Sequence, residues 1–456
     1  MNTFLRLRPV TRYVLSSVAI VVVLVLLFGI WLITGPGPMS FAGGETVALA
    51  DYKGPNPTGV PASLAHASLV QRGEYLARAA DCTACHTAPG GKPYAGGFPF
   101  HLPFGTMYSP NITPDKETGI GTWSDASFLN AIHKGIDDEG QRLYPAMPYA
   151  SYSVMTDADA LAIKAYLFSL APVHAPAIPN DLHFPFNQRW AMGIWSWAFN
   201  PGKTFQPNTA HSAEWNRGAY LAEGLAHCGE CHTPRNLAFA LDNRSKFSGA
   251  VTAGWKAYNI TSDHDTGVGG WSGAELARYL STGHADGHGT GSGPMGEAVD
   301  DSLRYLSDSD MHALVTYLQS IPAMASSDMP ATLKGPAPAS HRDGVVAGFD
   351  ERGKHLFAGA CASCHDWTGV SPILPYATLT GARAVNDPSA TNVAQIIILG
   401  TRRQTARGAS VMPAFGSVYS DSEIAALANY VTARFGTKGS SLAAKDVAAL
   451  RKQGAN

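Results

Sequence analysis

The chain has 456 residues, a formal net charge of −2 and 15% charged residues, against about 25% in typical soluble proteins. On a prior of about 150 residues per domain, this length accommodates about three domains. Because the nearly neutral composition offers no basic stripe, nucleic acid is excluded as an expected partner.

The N-terminal segment predicts how the chain is attached to its compartment. Residues 13–34 carry no charged side chain and are rich in Val, Leu and Ile, and as a helix they would be long enough to cross a bilayer. Three arginines precede them, so the positive-inside rule places residues 1–12 in the cytoplasm. A cleaved signal peptide is the alternative, but its apolar core should have about 7–15 residues. We therefore expect a transmembrane anchor with the rest of the chain outside the cytoplasm.

All six cysteines fall in three Cys-x-x-Cys-His motifs. Two thiols three residues apart lie on one face of a helical turn, so both can bond to one porphyrin while the next residue, His, ligates the iron. A single motif could belong to a zinc site or a thioredoxin-like pair, but three copies that use every cysteine favour three covalently bound haem c groups. The predicted attachment residues are Cys82, Cys85, Cys228, Cys231, Cys361 and Cys364, and the predicted proximal ligands are His86, His232 and His365.

Each motif lies between two predicted helices. The first helix has Arg-Gly near its start, where glycine allows another backbone to approach closely. The closing helix has apolar residues at helical spacing for packing against the first. The three glycines are Gly73, Gly218 and Gly353, and the candidate N-caps of the closing helices are Thr156, Ser307 and Ser420.

This order of elements is typical of a small cytochrome c domain. We therefore predict an all-α fold in which three consecutive cytochrome c domains follow one transmembrane helix. The predicted boundaries are 1–12 for the cytoplasmic N-terminus, 13–34 for the anchor, 66–172, 211–322 and 347–437 for domains one to three, and 438–456 for the tail.

A second axial ligand is expected on each iron, because a haem that only transfers electrons keeps both axial positions filled, usually with Met. Each unit has one Met beside a Pro, which stiffens the loop that must hold a weak thioether. These candidates are Met147, Met295 and Met412, which follow their histidines by 61, 63 and 47 residues. His284 and His288 are rival groups in the loop of Met295, and we interpret that loop as solvated.

Units one and two share further motifs that unit three lacks. Asn-Ile-Thr begins at Asn111 and Asn259, in each case 36 residues before the candidate Met. A Gly-x-Gly-x-Trp-Ser segment follows, with its Trp at 123 and 271, twelve residues after the Asn. Unit three is therefore the divergent copy.

Two connecting segments carry weaker signals. The aromatic run at residues 190–199 could dock a partner, face lipid or line a quinone site, or it could be a linker buried between domains one and two. The tail, residues 438–456, could form a short amphipathic helix around Leu442, Val447 and Leu450.

These motifs, with Tyr144-Pro-Ala-Met-Pro148 and the segment Arg189 to Trp195, resemble one family over about Val70 to Gly436. The chain is similar to tri-haem cytochrome c subunits of bacterial membrane-bound dehydrogenases, which serve alcohol, aldehyde, gluconate or fructose oxidation. The resemblance implies haem domains on the periplasmic side of the inner membrane. There a catalytic partner subunit oxidises its substrate, with alcohol or aldehyde favoured, and this chain passes the electrons to ubiquinone.

The predicted anchor resembles that of subunits serving molybdenum-containing aldehyde dehydrogenases with an iron–sulfur subunit, so such a partner is one possibility that the resemblance implies. The expected partners are thus a catalytic subunit, ubiquinone and membrane lipid. Two other functions stay open at this point. One is a peroxidase-type haem enzyme with an open iron site, and the other is a zinc-binding or structural membrane protein.

Overall fold

The structure, a computed structural model, describes residues 9–33, 35–330, 350–405 and 408–453. Most of the expected cytoplasmic N-terminus, the start of domain three at 347–349 and the last residues of the tail lie outside the described residues.

The helices are α1 Pro9–Ile33, α2 Leu69–Ala79, α3 Cys82–Cys85, α4 Asp125–Lys134, α5 Tyr149–Tyr152, α6 Asp157–Ser169, α7 Ala191–Phe199, α8 Ala213–Tyr220, α9 Gly229–His232, α10 Gly273–Thr282, α11 Pro294–Glu297, α12 Asp308–Ser320, α13 Glu351–Ala360, α14 Ala362–His365, α15 Thr391–Leu399, α16 Asp421–Phe435 and α17 Ala444–Gln453.

In each domain the first helix crosses the closing helix at the predicted glycine. The crossing pairs are α2 with α6, α8 with α12, and α13 with α16. A Cβ on any of the three glycines would collide with a backbone carbonyl oxygen of the closing helix, so only glycine permits this approach. The glycines and the carbonyls they face are Gly73 with Ala162, Gly218 with Ala313, and Gly353 with Ala426.

The closing helices begin where the sequence predicts. The side chains of Thr156, Ser307 and Ser420 each accept a hydrogen bond from the backbone N–H three residues later, which satisfies one of the free donors of the first turn. At Ser420 the bond is reciprocal, because the Glu423 side chain accepts from the Ser420 N–H. The predicted caps are therefore confirmed.

The prediction of an all-α fold is wrong, because each domain contains short antiparallel pairing. The strands are β1 Pro99–Leu102, β2 Gly105–Tyr108, β3 Asp181–Leu182, β4 Ala250–Thr252, β5 Trp255–Ala257, β6 His284–Ala285, β7 Gly289–Thr290, β8 Thr401–Thr405 and β9 Gly408–Met412. The β4–β5 turn shows why the sequence did not indicate these strands. Ala253 and Gly254 both have positive φ, 49° and 75°, the backbone that a two-residue hairpin turn needs. With Ala in place of the usual Asn, this turn has no clear sequence signature.

The predicted transmembrane helix is also corrected. Helix α1 covers Pro9–Ile33, but none of the helices within the described ranges is both long enough and apolar enough to cross a membrane. The fold is therefore described as helices with small antiparallel sheets.

The apolar cores divide the chain unequally. Residues of domains one and two form one continuous core, in which Leu76 and Ile163 of the first domain join Leu221 and Leu314 of the second. Domain three has a core of its own, and the predicted tail helix is part of it, because the Val447 side chain of α17 is fully buried there.

Candidate haem-binding sites

Each Cys-x-x-Cys-His motif is folded as one helical turn directly after the first helix of its domain. The backbone N–H of the His donates to the carbonyl oxygen of the first Cys in every copy, over 3.1, 3.0 and 3.0 Å. This bond brings both cysteines and the His around a single turn. The structure therefore brings together the predicted attachment residues of each motif.

The first thiol of each motif lies in an environment that opposes nucleophilic or redox-pair chemistry. Burial raises the pKa of Cys82 and Cys228 to about 12 and that of Cys361 to about 11. A reactive cysteine needs a lowered pKa. Nor do the residues described here include a group of three or more His, Cys, Asp or Glu side chains that could hold a metal ion, as a zinc site would require.

The ring of each predicted proximal His is oriented by a backbone carbonyl. Because a carbonyl oxygen only accepts hydrogen bonds, Nδ1 must carry the proton, and Nε2 keeps its lone pair for iron. The three Nδ1 bonds are His86 to Pro110 O at 2.8 Å, His232 to Tyr258 O at 2.6 Å, and His365 to Ala377 O at 2.6 Å.

Protonation would remove the lone pair of Nε2. Burial lowers the pKa of His86, His232 and His365, which keeps each ring neutral and able to ligate. Tautomer, orientation and protonation state all suit an iron ligand, so the residues present fit a covalently bound haem c in each domain.

The shared Asn-Ile-Thr motif fixes the accepting carbonyl in domains one and two. In domain one, Asn111 follows Pro110 directly, and its Oδ1 accepts from both the N–H and the hydroxyl of Thr113, at 2.9 and 2.8 Å. Asn259 holds Thr261 in the same way, at 2.8 and 2.7 Å. This closed turn holds the preceding carbonyl toward the His ring.

The Gly-x-Gly segments lie against the same turns. A Cβ on Gly119 would collide with the Thr113 carbonyl oxygen, and a Cβ on Gly267 with that of Thr261. The repeated motifs are thus a support for the proximal His, a role that the sequence pattern alone did not reveal.

Domain three anchors its His differently. Ala377, which accepts from His365, ends a short 3-10 helix at Pro375–Ala377. The neighbouring carbonyl of Tyr376 accepts a 3.0 Å bond from the Thr290 hydroxyl of domain two. The support of this His is therefore connected to another domain, which no local motif could have indicated.

The predicted Met ligands pack against the same apolar cores as their motifs. Met147 and Met295 pack against the shared core of domains one and two, as do Cys82 and Cys228. Met412 packs against the core of domain three, which includes Cys361. The structure brings each Met into the core that contains its own motif, and its ligand role stays a prediction.

The rival histidines of the Met295 loop are engaged elsewhere. His284 uses both ring nitrogens, at 2.9 Å from the Thr290 hydroxyl and 3.2 Å from Asp286 Oδ1. His288 stacks on Trp271 with ring centroids 3.7 Å apart. Because both side chains are buried, the interpretation of this loop as solvated is wrong.

The first two motifs lie close together. The Tyr152 hydroxyl of domain one donates to Ala80 O at 2.7 Å, and its ring meets His227, which precedes Cys228, at 5.4 Å. Burial, followed by the charges of Asp81, Cys82 and Cys231, raises the pKa of Cys85 to about 12. The second motif is thus an electrostatic neighbour of the first.

The aromatic run at residues 190–199 proves to be partly buried and partly exposed. The Trp195 indole N–H donates to Ala238 O of domain two at 2.8 Å, while its ring contacts Tyr149 of domain one. Trp190 and Trp197 are 68% and 77% exposed. Helix α7 therefore links the two domains and also presents an apolar face to the outside.

Comparisons with known proteins agree with this geometry. A family model described as Cytochrome c matches residues 70–171, and one described as Cytochrome C oxidase, cbb3-type, subunit III, matches residues 349–431. The chain is 40% identical over 418 residues to the fructose dehydrogenase cytochrome subunit of Gluconobacter japonicus, covering 86% of this chain and 85% of that protein.

Two further relatives are similar over comparable lengths. The gluconate 2-dehydrogenase cytochrome c subunit of Pantoea cypripedii is 40% identical over 410 residues, which cover 85% of this chain and 90% of the relative. The cytochrome c subunit of alcohol dehydrogenase (quinone) of Gluconobacter oxydans (strain 621H) is 36% identical over 403 residues, 85% and 83% of the two chains.

Proposed function

Since the chain belongs to the family of cytochrome c subunits of fructose, gluconate and alcohol dehydrogenase complexes, we propose that it is their tri-haem electron carrier. Electron transfer through covalently bound haem c is the function of such subunits. The observation that carries the count of three is the repeated His geometry. Each of the three rings donates from Nδ1 to a backbone carbonyl and leaves Nε2 available to iron.

In this proposal the residues of each domain have separate roles. The six cysteines form the thioethers, and His86, His232 and His365 are the proximal ligands. Met147, Met295 and Met412 complete the coordination. Met ligation favours ferrous iron and raises the haem potential, and filled coordination keeps substrate away from the iron. The chain would then carry electrons without substrate chemistry of its own.

The electron donor that we propose is a catalytic dehydrogenase subunit that oxidises an alcohol or an aldehyde, and the acceptor is ubiquinone. The relatives named above serve fructose, gluconate and alcohol dehydrogenases, and one of them is named for quinone. A molybdenum-containing partner with an iron–sulfur subunit is compatible with this role. Co-purification of the full chain with its partner subunits, followed by their identification, tests this part of the proposal.

We place the haem domains at the periplasmic face of the inner membrane, in contact with lipid. The support is the exposed face formed by α7 and the residue that precedes it, where Trp190, Ile194 and Trp197 recur at helical spacing and are 68%, 61% and 77% exposed. Tryptophan is enriched at membrane–water interfaces, where one part of the ring is apolar and the other polar.

The ligands are tested by changing Met147, Met295 and Met412 to Ala one at a time in the full chain. Each change should lower one haem potential, because the thioether that favours ferrous iron is lost. It should also remove one share of the red-end absorption band of Met-ligated ferric haem. A Met whose replacement leaves all three potentials in place is not a ligand. Met107 is the control, since it is buried in domain one outside the three loops.

The alternative of a peroxidase-type enzyme makes the opposite prediction. It requires one iron with an open axial position, so the resting protein would show a high-spin signal from one haem. A purified chain in which every haem is low-spin would eliminate that function.

A further inference from the structure

Arg403 is the largest fully buried side chain of domain three, with 1% of its surface exposed. It lies on β8, where it pairs with Ser410 of β9, and two residues further along the same hairpin Thr401 pairs with Met412. Arginine is seldom fully buried unless it is paired. The partners that compensate the burial of this charge are residues of domain two.

The guanidinium lies inside domain two rather than in its own domain. Nη1 donates to the carbonyl oxygen of Gly296, the residue that follows Met295, and Nη2 donates to Thr282 O at 3.4 Å. Asp300 provides the countercharge, with its Oδ2 3.3 Å from Nη1. The three partners flank Met295 in the chain, with Thr282 on one side and Gly296 and Asp300 on the other.

Two glycines of domain two make room for the guanidinium. A Cβ on Gly283, which ends α10, would collide with it. A Cβ on Gly296 would lie 2.9 Å from Nη1. The two sides of the interface thus match, with a long cation on one domain and two residues without side chains on the other.

We propose that Arg403 of domain three is a positioning residue for the haem of domain two, because it holds the Met295 segment against the iron. This inference rests on the proposed role of Met295. A thioether is a weak, neutral ligand, so its occupancy depends on how firmly its loop is held.

The test compares Arg403→Met, Arg403→Lys and Arg402→Met in the full chain, with Met295→Ala as the reference. Arg402 is the matched control, since it is the neighbouring arginine of the same strand and is exposed. The readouts are the three potentials from spectroelectrochemical titration, the band of Met-ligated ferric haem, and the haem content per chain.

Arg403→Met should lower the same potential that Met295→Ala lowers and weaken that haem's share of the band, with three haems retained. Arg403→Lys keeps the charge but replaces the two donor nitrogens Nη1 and Nη2 by one, so we expect a weaker band with a smaller fall in potential. Arg402→Met should change neither. If Arg403→Met is not obtained with three haems attached, the same absorption band of Arg403→Lys provides the test.

Two results overturn the inference in different ways. If Met295→Ala lowers one potential but the Arg403 variants leave that potential and its band unchanged, the positioning role fails and the proposed function stands. If Met295→Ala changes none of the three potentials, the assignment of Met295 as ligand fails, and the role of Arg403 fails with it.

Discussion

Domains one and two bury their helices in one apolar core, whereas domain three has a separate core and meets domain two through polar groups. At that second interface the Asn392 side chain accepts a hydrogen bond from the Lys256 N–H and donates one to the Lys256 carbonyl oxygen, each over 2.8 Å. Arg383 donates to the carbonyl of Gly267 at 2.6 Å. Polar docking of this kind adds orientation but little apolar burial, so domain three should be able to lose its structure without the other two.

The first pair is also joined by reciprocal hydrogen bonds. The hydroxyl of Tyr75, on the first helix of domain one, donates to Asp310 on the closing helix of domain two at 2.6 Å. Tyr220 of domain two donates to Asp159 of domain one at 2.5 Å. The equivalent position in domain three is His355, and it is exposed. The residue at this position of the repeat is therefore Tyr in the two domains that share a core and His in the domain that has its own.

The largest effect should come from the helix crossings. Gly218→Ala and Gly353→Ala each place a Cβ against a backbone carbonyl, which cannot rotate away, so each should cost about 3 kcal/mol or more. Gly218→Ala should weaken domains one and two together, because they share a core, while Gly353→Ala should weaken domain three alone. Hydrogen exchange resolved by mass spectrometry reports which segments lose protection.

Gly359→Ala is the matched control for these variants. Gly359 lies on α13 with Gly353, but a Cβ there would meet nothing within 4 Å. Since Ala is the better helix former, this change should stabilise domain three by about 0.5–1 kcal/mol. Loss of protection in domain three from Gly218→Ala would contradict the separation of the two cores.

The features that the sequence predicted are those with a local cause. The turn of each Cys-x-x-Cys-His motif follows from the reach of two thiols three residues apart, and the caps of the closing helices follow from a hydroxyl beside a free N–H. The hairpins were missed because strands of two to five residues are too short to show alternation. The contacts of Tyr75 with Asp310 and of Arg403 with Gly296 join residues 235 and 107 positions apart, and no local pattern encodes them.

A smaller effect should follow from removing the reciprocal hydroxyls. Tyr75→Phe and Tyr220→Phe each delete a hydrogen bond to a buried carboxylate, which should cost about 1.5 kcal/mol. Tyr75→Phe also deletes the 3.2 Å bond that its hydroxyl accepts from the Ser307 N–H. Denaturant unfolding of each variant, with segment-resolved exchange, should show the loss in domains one and two. His355→Phe is the control and should stay within about 0.5 kcal/mol of the parent chain. An equal loss from all three changes would mean that the position acts within each domain and not between domains.

The smallest effect concerns acid and should appear in domain three. Hydrogen bonds from the Ser420 hydroxyl and backbone, with a further one from Arg352, lower the pKa of Glu423 from 4.5 to about 2. Because the folded-state pKa lies below the unfolded one, the stabilisation is complete above about pH 4.5 and disappears as the pH falls through about 2. Glu423→Gln cannot titrate, so the difference in domain-three stability between the parent chain and this variant should shrink over that interval.

Glu275, which forms the same capping box with Ser272 on α10 of domain two, allows the matched comparison. Glu275→Gln should leave the acid response of domain three unchanged, and a change there would show that the two domains unfold as one unit.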